Sequence, residues 1–189
     1  MKKSQGSIIV ITTGLLLTFS FNGANAEHPR SNNGTFGGTY LSTRIDLVDE
    51  GDGLAATWST AEVTGTLGKR TIQSIAEPKF TGVTGACPGG VFVIDAQNGI
   101  GFGRNTNTFP NGDQYYARIL TRTQCGLGGG KFEIDDITEI IGGTGKFEGA
   151  SGTVEVHSVS ICQASDGNAV PPQCFGSFTG EFEGPITLP

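Results

Sequence analysis

Nothing in the chain reads as a helix. Residues that favour helices are sparse, and apolar side chains do not recur at the three- and four-residue spacing of a helical stripe. Basic residues are also few, 12 Lys and Arg against 18 Asp and Glu. An acidic surface repels phosphate backbones, so nucleic acid is a poor partner. Histidine is scarcer still, with His28 and His157 alone. Neither a Gly-x-Ser-x-Gly elbow nor a His-Glu-x-x-His pair occurs, which leaves serine-hydrolase and zinc-protease chemistry without support. The four cysteines have neither the Cys-x-x-Cys spacing of a redox pair nor that of a zinc knuckle. No metal ion or cofactor is called for.

The N-terminus carries an export signal. Met1-Lys2-Lys3 is a short basic start, Ile8 to Phe21 an apolar run, and Ala24-Asn25-Ala26 a set of small residues where a signal peptidase cuts. The run is short for a membrane span, so no span is expected in the mature chain. Residues 1–26 are therefore expected to be removed, giving a secreted protein, extracellular or periplasmic, that begins at Glu27. Loss of Lys2 and Lys3 leaves ten basic residues against eighteen acidic ones, a formal charge of −8. Residues 27–34 are polar and turn-rich and are expected as a flexible leader. Residues 35–189 make up one domain, long enough to bury a core.

Glycine, threonine and phenylalanine fill the rest. Gly numbers 31 and Phe 12. Short runs with period-two alternation are separated by Gly, Asn, Asp and Pro, which predicts many strands. They fall around Thr39–Leu47, Ala55–Leu67, Thr71–Ile75, Val91–Asp95, Ile100–Phe109, Gln114–Thr123, Lys131–Ile141, Thr153–Ile161 and Phe175–Leu188. Along the last of these, Gly176, Phe178, Gly180, Phe182, Gly184 and Ile186 share one face. Alternation of no side chain with a large one suits a curved inner surface. Closure also removes the exposed edges of a chain rich in β-formers. The predicted fold is all-β, a single closed antiparallel barrel of about eight strands.

Cys87, Cys125, Cys162 and Cys174 all lie in the mature part, and an even count in an exported chain reads as disulfides. Three pairings exist. The favoured one joins Cys162 to Cys174 across the loop Gln163–Gln173, and Cys87 to Cys125.

Gly142-Gly143-Thr144-Gly145-Lys146-Phe147-Glu148-Gly149-Ala150-Ser151-Gly152-Thr153 reads as a tight corner between two strands, with Phe147 folded back as a plug. Together with the alternating Phe132–Ile141 before it, this stretch resembles the signature of the allene oxide cyclase-like and dirigent-like β-barrels, closest to their small secreted bacterial members. Asn111-Gly112-Asp113 and the closing run Gly176–Gly184 are similar to further features of that group. The resemblance implies a barrel fold and a structural role for Gly142, Gly143, Gly145, Phe147, Gly149 and Gly152. Allene oxide cyclases guide ring closure of an unstable fatty-acid epoxide in a hydrophobic cavity without a cofactor. Dirigent proteins steer the coupling of phenols.

Candidate chemistry is thin. Gly143-Thr144-Gly145-Lys146 looks like a phosphate loop, but Ile140 and Phe147 occupy positions where that loop needs Gly and Ser or Thr. Asp49-Glu50-Gly51-Asp52-Gly53 lacks calcium-loop spacing and reads as a solvated turn. His157, with Glu155 on its face of the strand, has no nucleophile beside it. Asp113, Tyr115, Arg118, Arg122, Glu133, Asp135 and Glu139 come from the two strands before the corner, and any that point inward would have chemical use. The residues chosen as a ligand-binding barrel lining are Tyr115, Arg118, Glu133, Phe178 and Phe182; no catalytic residue is assigned. Phe132, Phe147, Phe178, Phe182 and Trp58 are expected to occupy much of the interior. The function expected is a non-catalytic binding or interaction module for an apolar small molecule or a surface partner. The alternative is a cofactor-independent cyclase or isomerase, or a dirigent-type enzyme.

Overall fold

A computed structural model describes residues 29–43, 56–166 and 173–189. The signal segment, His28, the acidic turn Asp49–Gly53 and residues 167–172 of the Gln163–Gln173 loop lie outside the described residues. Twelve strands follow one another: β1 (Pro29–Ser31), β2 (Gly34–Thr43), β3 (Ala56–Gly65), β4 (Arg70–Glu77), β5 (Lys79–Gly82), β6 (Gly90–Asp95), β7 (Phe102–Thr108), β8 (Gln114–Gly128), β9 (Lys131–Gly143), β10 (Ser151–Asp166), β11 (Gln173–Glu183) and β12 (Pro185–Thr187). The described residues contain no α-helix, only a 3-10 turn at Gly145–Phe147.

Eight of the strands close a ring. Pairing runs β2-β3-β4-β7-β8-β9-β10-β11 and back to β2, antiparallel at every step. The long strand β8 outlasts β7, and its second half, Thr121 to Gly126, takes β6 as partner, with β5 beyond. At the other end β1 and β12 pair with each other, and β12 also pairs with the start of β10. Residues 29–34, expected as loose leader, are therefore tied down: β1 is paired, and Asn32 is fully buried, its N–H donating to Gly184 O at 2.8 Å. The polar composition of that stretch hid a buried role for Asn32.

The corner seals one end of the barrel. Thr144 N–H donates to Gln114 O at 2.8 Å, and the hydroxyl of Thr144 accepts from Gln114 N at 3.1 Å, so the corner is sewn to the start of β8. Gly145 has φ of +57°, and a Cβ there would collide with the Asp113 carboxylate of the adjoining Asn111-Gly112-Asp113 turn. Gly143 is needed for proximity instead: a Cβ would sit 2.9 Å from Tyr115 Cα. With both constraints met, Phe147 turns inward and is wholly buried, its ring 4.7 Å from Phe109 and 5.5 Å from Tyr115. Val63, Ile140, Ala150, Val154, Phe182 and Ile186 complete that cluster. Phe147 is a stopper for one end.

Strands β11 and β2 interlock by the small–large alternation visible in the sequence. Gly176 faces Tyr40, Phe178 faces Gly38, Gly180 faces Phe36 and Phe182 faces Gly34 across the ladder. The two glycines of β11 give room to the rings opposite, since a Cβ at Gly176 would come within 2.7 Å of Tyr40 and one at Gly180 within 2.5 Å of Phe36. Gly34 and Gly38 instead allow the close approach of β3, where a Cβ would meet Thr64 O and Thr60 O. Four rings thereby fit side by side on a tightly curved wall. Trp58, expected inside, lies on the outer face of β3 and is 53% exposed. Its strand turns Thr57, Ser59, Ala61 and Val63 inward, so parity sends Trp58 out.

Both favoured disulfides form. Cys87 is bonded to Cys125 and Cys162 to Cys174, with Cα–Cα separations of 5.2 and 5.7 Å. The first ties the loop before β6 to β8, and the second joins β10 to β11.

Candidate functional site

The rings line the barrel without filling it. A cavity of about 430 Å³ remains inside, within the range of roughly 300–1,000 Å³ usual for small-molecule sites. A packed interior, one of the expectations from the phenylalanine content, does not hold, because Phe147 is spent on the stopper and Trp58 faces out.

One wall is apolar: Phe36 and Tyr40 from β2, Phe178 and Phe182 from β11, with Ile72, Val154 and Val156 alongside. Small polar groups line the cavity beside these side chains, among them Ser59 next to Tyr40, Thr138 next to Val154, and Ser74 and Asn105 on β4 and β7. At the end away from the stopper stand Phe80, Phe92 and Phe132, their ring centroids 5.3 and 6.3 Å apart in succession, beside the Cys162–Cys174 bridge. Phe80 is 48% exposed, so this is where the lining reaches solvent.

Of the five residues chosen as lining, Tyr115, Phe178 and Phe182 face the cavity, and Arg118 and Glu133 do not. Arg118 points outward and pairs with Glu139 on the barrel surface. Glu133 follows the outward parity of β9, whose inward positions are Phe132, Ile134, Asp136, Thr138 and Ile140. Arg118 lies on the outward parity of the first half of β8, where Tyr115, Ala117 and Ile119 are buried, and the period changes only beyond it. An irregularity in the pairing of β8 between Ile119 and Thr121 shifts the register. Tyr115 and Ala117 therefore face in at odd positions, whereas Arg122 and Gln124 face in at even ones. Of the wider candidate set only Tyr115 and Arg122 turn inward. Asp113 caps the hairpin turn, and Asp135 meets His157 on the outside, 2.7 Å from its Nδ1. That contact, ahead of the neighbouring Glu133 and Glu181 charges, raises the His157 pKa.

Two guanidinium groups enter the cavity, and they differ in company. Arg122 grips Asp136 with two hydrogen bonds, Nε to Oδ1 and Nη2 to Oδ2, each 2.7 Å. Burial alone would lower the Arg122 pKa, but the attraction and hydrogen bonds of Asp136 outweigh it and hold it above its ordinary value. Arg70, at the first residue of β4, is only 3% exposed and has no carboxylate partner among the described residues. Its Nε donates to Asn107 Oδ1 at 2.9 Å and its Nη2 to Asn32 Oδ1 at 3.5 Å. The rings of Phe182, Tyr115 and Phe109 surround it at 4.9, 5.5 and 5.7 Å from the guanidinium carbon. Burial raises the Tyr115 phenol above its usual pKa, opposed by the charge of Arg70 and by the nearby polar groups of Asn32 and Arg70. Tyr40, beside the disulfide, is likewise raised by burial and eased by Ser160; its hydroxyl lies 3.3 Å from Cys174 Sγ.

Sequence reasoning missed Arg70, Asn107, Asn32 and Asp136. For Arg70 a signal existed: Ile72, Ser74 and Ala76 share its parity, so starting that strand one residue earlier would have placed it inward. Asp136 was masked by Asp135 beside it, one of the two necessarily facing in.

Lys146, the lysine of the apparent phosphate loop, caps the stopper instead, with Nζ 4.7 Å from the centre of the Phe109 ring and 4.9 Å from that of Phe147. Among the described residues no cluster of His, Cys, Asp and Glu suits a metal ion, and no helix is long and apolar enough to cross a membrane. Comparison with protein-family models, with curated proteins and with solved structures gave no match.

Proposed function

We propose that the mature chain is a secreted barrel that binds an apolar small molecule in its interior without converting it. The observation that carries this reading is the cavity of about 430 Å³ with a wall of aromatic and branched side chains. A chain this size has side chains enough to fill a small barrel, and here glycines opposite the rings and serines among the lining residues keep the space open. The basic-apolar-small N-terminus and two disulfides support export into an oxidising compartment.

The test is binding of a neutral fluorescent probe, N-phenyl-1-naphthylamine, to the exported protein. One equivalent is expected to bind with a gain in emission. Ser74→Phe, which extends a ring from β4 into the space, is expected to abolish the gain while leaving the far-ultraviolet circular dichroism spectrum unchanged. No saturable binding, or binding untouched by that substitution, defeats the reading. Native mass spectrometry of protein taken from the export compartment then identifies a retained natural ligand by its mass.

A second reading is favoured by one specific feature, the Asp136 carboxylate held beside Arg122 on the cavity wall. Together with the likeness of the Gly142–Thr153 stretch to allene oxide cyclase-like barrels, it supports a cofactor-independent cyclase or isomerase that folds a reactive substrate against preorganised polar groups. Asp136→Asn would then remove turnover of a cyclisable substrate and leave probe binding in place. Under the binding reading no turnover exists to be removed.

A further inference from the structure

The cavity contains an imbalance of charge. Its lining includes Arg70 and Arg122 as cations and Asp136 as the one anion among the described residues, so the lining carries a net positive charge inside an acidic protein. Arg122 and Asp136 satisfy each other. Arg70 is left with neutral partners, and its Nη1 has no hydrogen-bond partner at all. A guanidinium this deeply buried is expensive to desolvate, and amide oxygens and ring faces return only part of that free energy. Two further polar atoms on cavity-lining residues, Asn105 Oδ1 and Thr138 Oγ1, are likewise buried without partners.

We infer that the stoppered end of the cavity is an anion subsite centred on Arg70, built to hold the carboxylate of a compact, otherwise apolar ligand whose body lies against Phe178 and points toward Phe132. The inference rests on the cavity being a binding site. A monoanion fits better than a phosphate. Asn107 and Asn32 already occupy Nε and Nη2, so one free N–H edge remains, and the surplus is a single positive charge. The direction of the ligand follows from the same geometry: Arg70 packs on Phe109, Tyr115 and Phe182 beside the stopper, while the opposite end carries phenyl rings, the disulfide and the uncharged polar groups of Gln124, Ser160 and Tyr40. Asn32 and Asn107 hold the guanidinium in place and are positioning residues.

The experiment compares two probes with the same apolar body, 2-naphthoate and 2-naphthamide, titrated calorimetrically into the exported protein with its disulfides intact. Charge-assisted hydrogen bonding in a low-dielectric site predicts that naphthoate binds at least about tenfold more tightly. In Arg70→Met the preference falls to about one, with naphthamide affinity changed by less than about threefold. Arg118→Met, on the outer face, leaves the preference intact, and Arg70→Lys retains part of it. Because Arg70→Met removes an uncompensated buried charge, the unliganded variant melts no lower than the parent. Naphthamide binding without a naphthoate preference, or a preference that survives Arg70→Met, overturns the anion subsite and leaves the cavity reading standing. If neither probe binds, the cavity reading itself fails and the subsite with it.

Discussion

Replacing Phe147 with alanine tests the closed end of the barrel directly. The side chain is wholly buried, stacked on Phe109 at 4.7 Å and met edge-on by Tyr115 at 5.5 Å. Deleting a buried phenyl ring removes its transfer free energy and leaves a void, together about 3–5 kcal/mol. Each well-placed aromatic pair contributes about 0.5–1.5 kcal/mol of that beyond simple burial. The surroundings set the value toward the upper part of the range. Phe147 sits among strands hydrogen-bonded on both sides, and the corner is tied to β8 through Thr144 and Gln114, so the walls have little freedom to collapse. For a domain of this size each kcal/mol moves the melting temperature by about 2–4 °C, so a drop of roughly 6–20 °C is expected. The control is Trp58→Ala. It removes a larger side chain, but one 53% exposed on the outer face, and should cost less than about 1.5 kcal/mol. Urea unfolding followed by far-ultraviolet circular dichroism measures both without relying on tryptophan emission. A Phe147→Ala loss below about 1 kcal/mol, or one no larger than that of Trp58→Ala, would refute the stopper and with it the argument that one end of the cavity is sealed.

Gly180→Ala should destabilise by about 1–3 kcal/mol by overpacking against His157 O and the Phe36 ring, and pairing it with Phe36→Leu should recover only the part due to the ring, read in the same unfolding assay. Replacing Cys162 and Cys174 together by serine should remove about 3 kcal/mol for a separation of 12 residues, and replacing Cys87 and Cys125 about 4 for 38, by loop entropy. Equal melting temperatures with and without reductant would refute both figures. The His157–Asp135 pair gives a pH signature. The pKa of His157 is raised on folding, so its stabilisation is fully present below the unfolded value near about 6.5 and disappears as pH rises through the folded one. The pair is exposed and contributes only about 0.2–1 kcal/mol. Parent and His157→Gln should therefore differ at pH 5.5 and coincide at pH 9; a difference that grows with pH reverses the sign and defeats the assignment.

Much of the fold was legible because strands write their burial into a two-residue period. The run Gly176–Ile186 was readable as an inner face, and the partner half of its pattern, Gly34–Tyr40, obeys the same alternation. The corner was legible for a different reason. Gly143 and Gly145 stand where no other residue fits, so the backbone constraint is visible in composition. The short cysteine spacing Cys162 to Cys174 likewise pointed to its own pairing. The candidate site was less readable. Alternation along the last strand identified Phe178 and Phe182, but both faces of β8 and β9 are mixed in polarity. Tyr115 and Arg118, of opposite parity, were therefore both candidates for the lining, and only Tyr115 faces in. Beyond Arg118 a shift in the pairing of β8 turns Arg122 inward without a glycine or proline to mark it.

The amino-acid order alone determined the class of fold, pointed to the Cys162–Cys174 pairing and marked the corner between β9 and β10. Each depends on neighbours within a strand, a hairpin or a short loop. Tertiary structure decided whether the inside is hollow, which of two arginines lacks a counter-charge, and that the one tryptophan faces outward. Those properties arise from how eight strands tilt and shift past one another. A side chain's surroundings then come from strands distant in sequence: Asn32 and Asn107 reach Arg70 from 38 and 37 residues away.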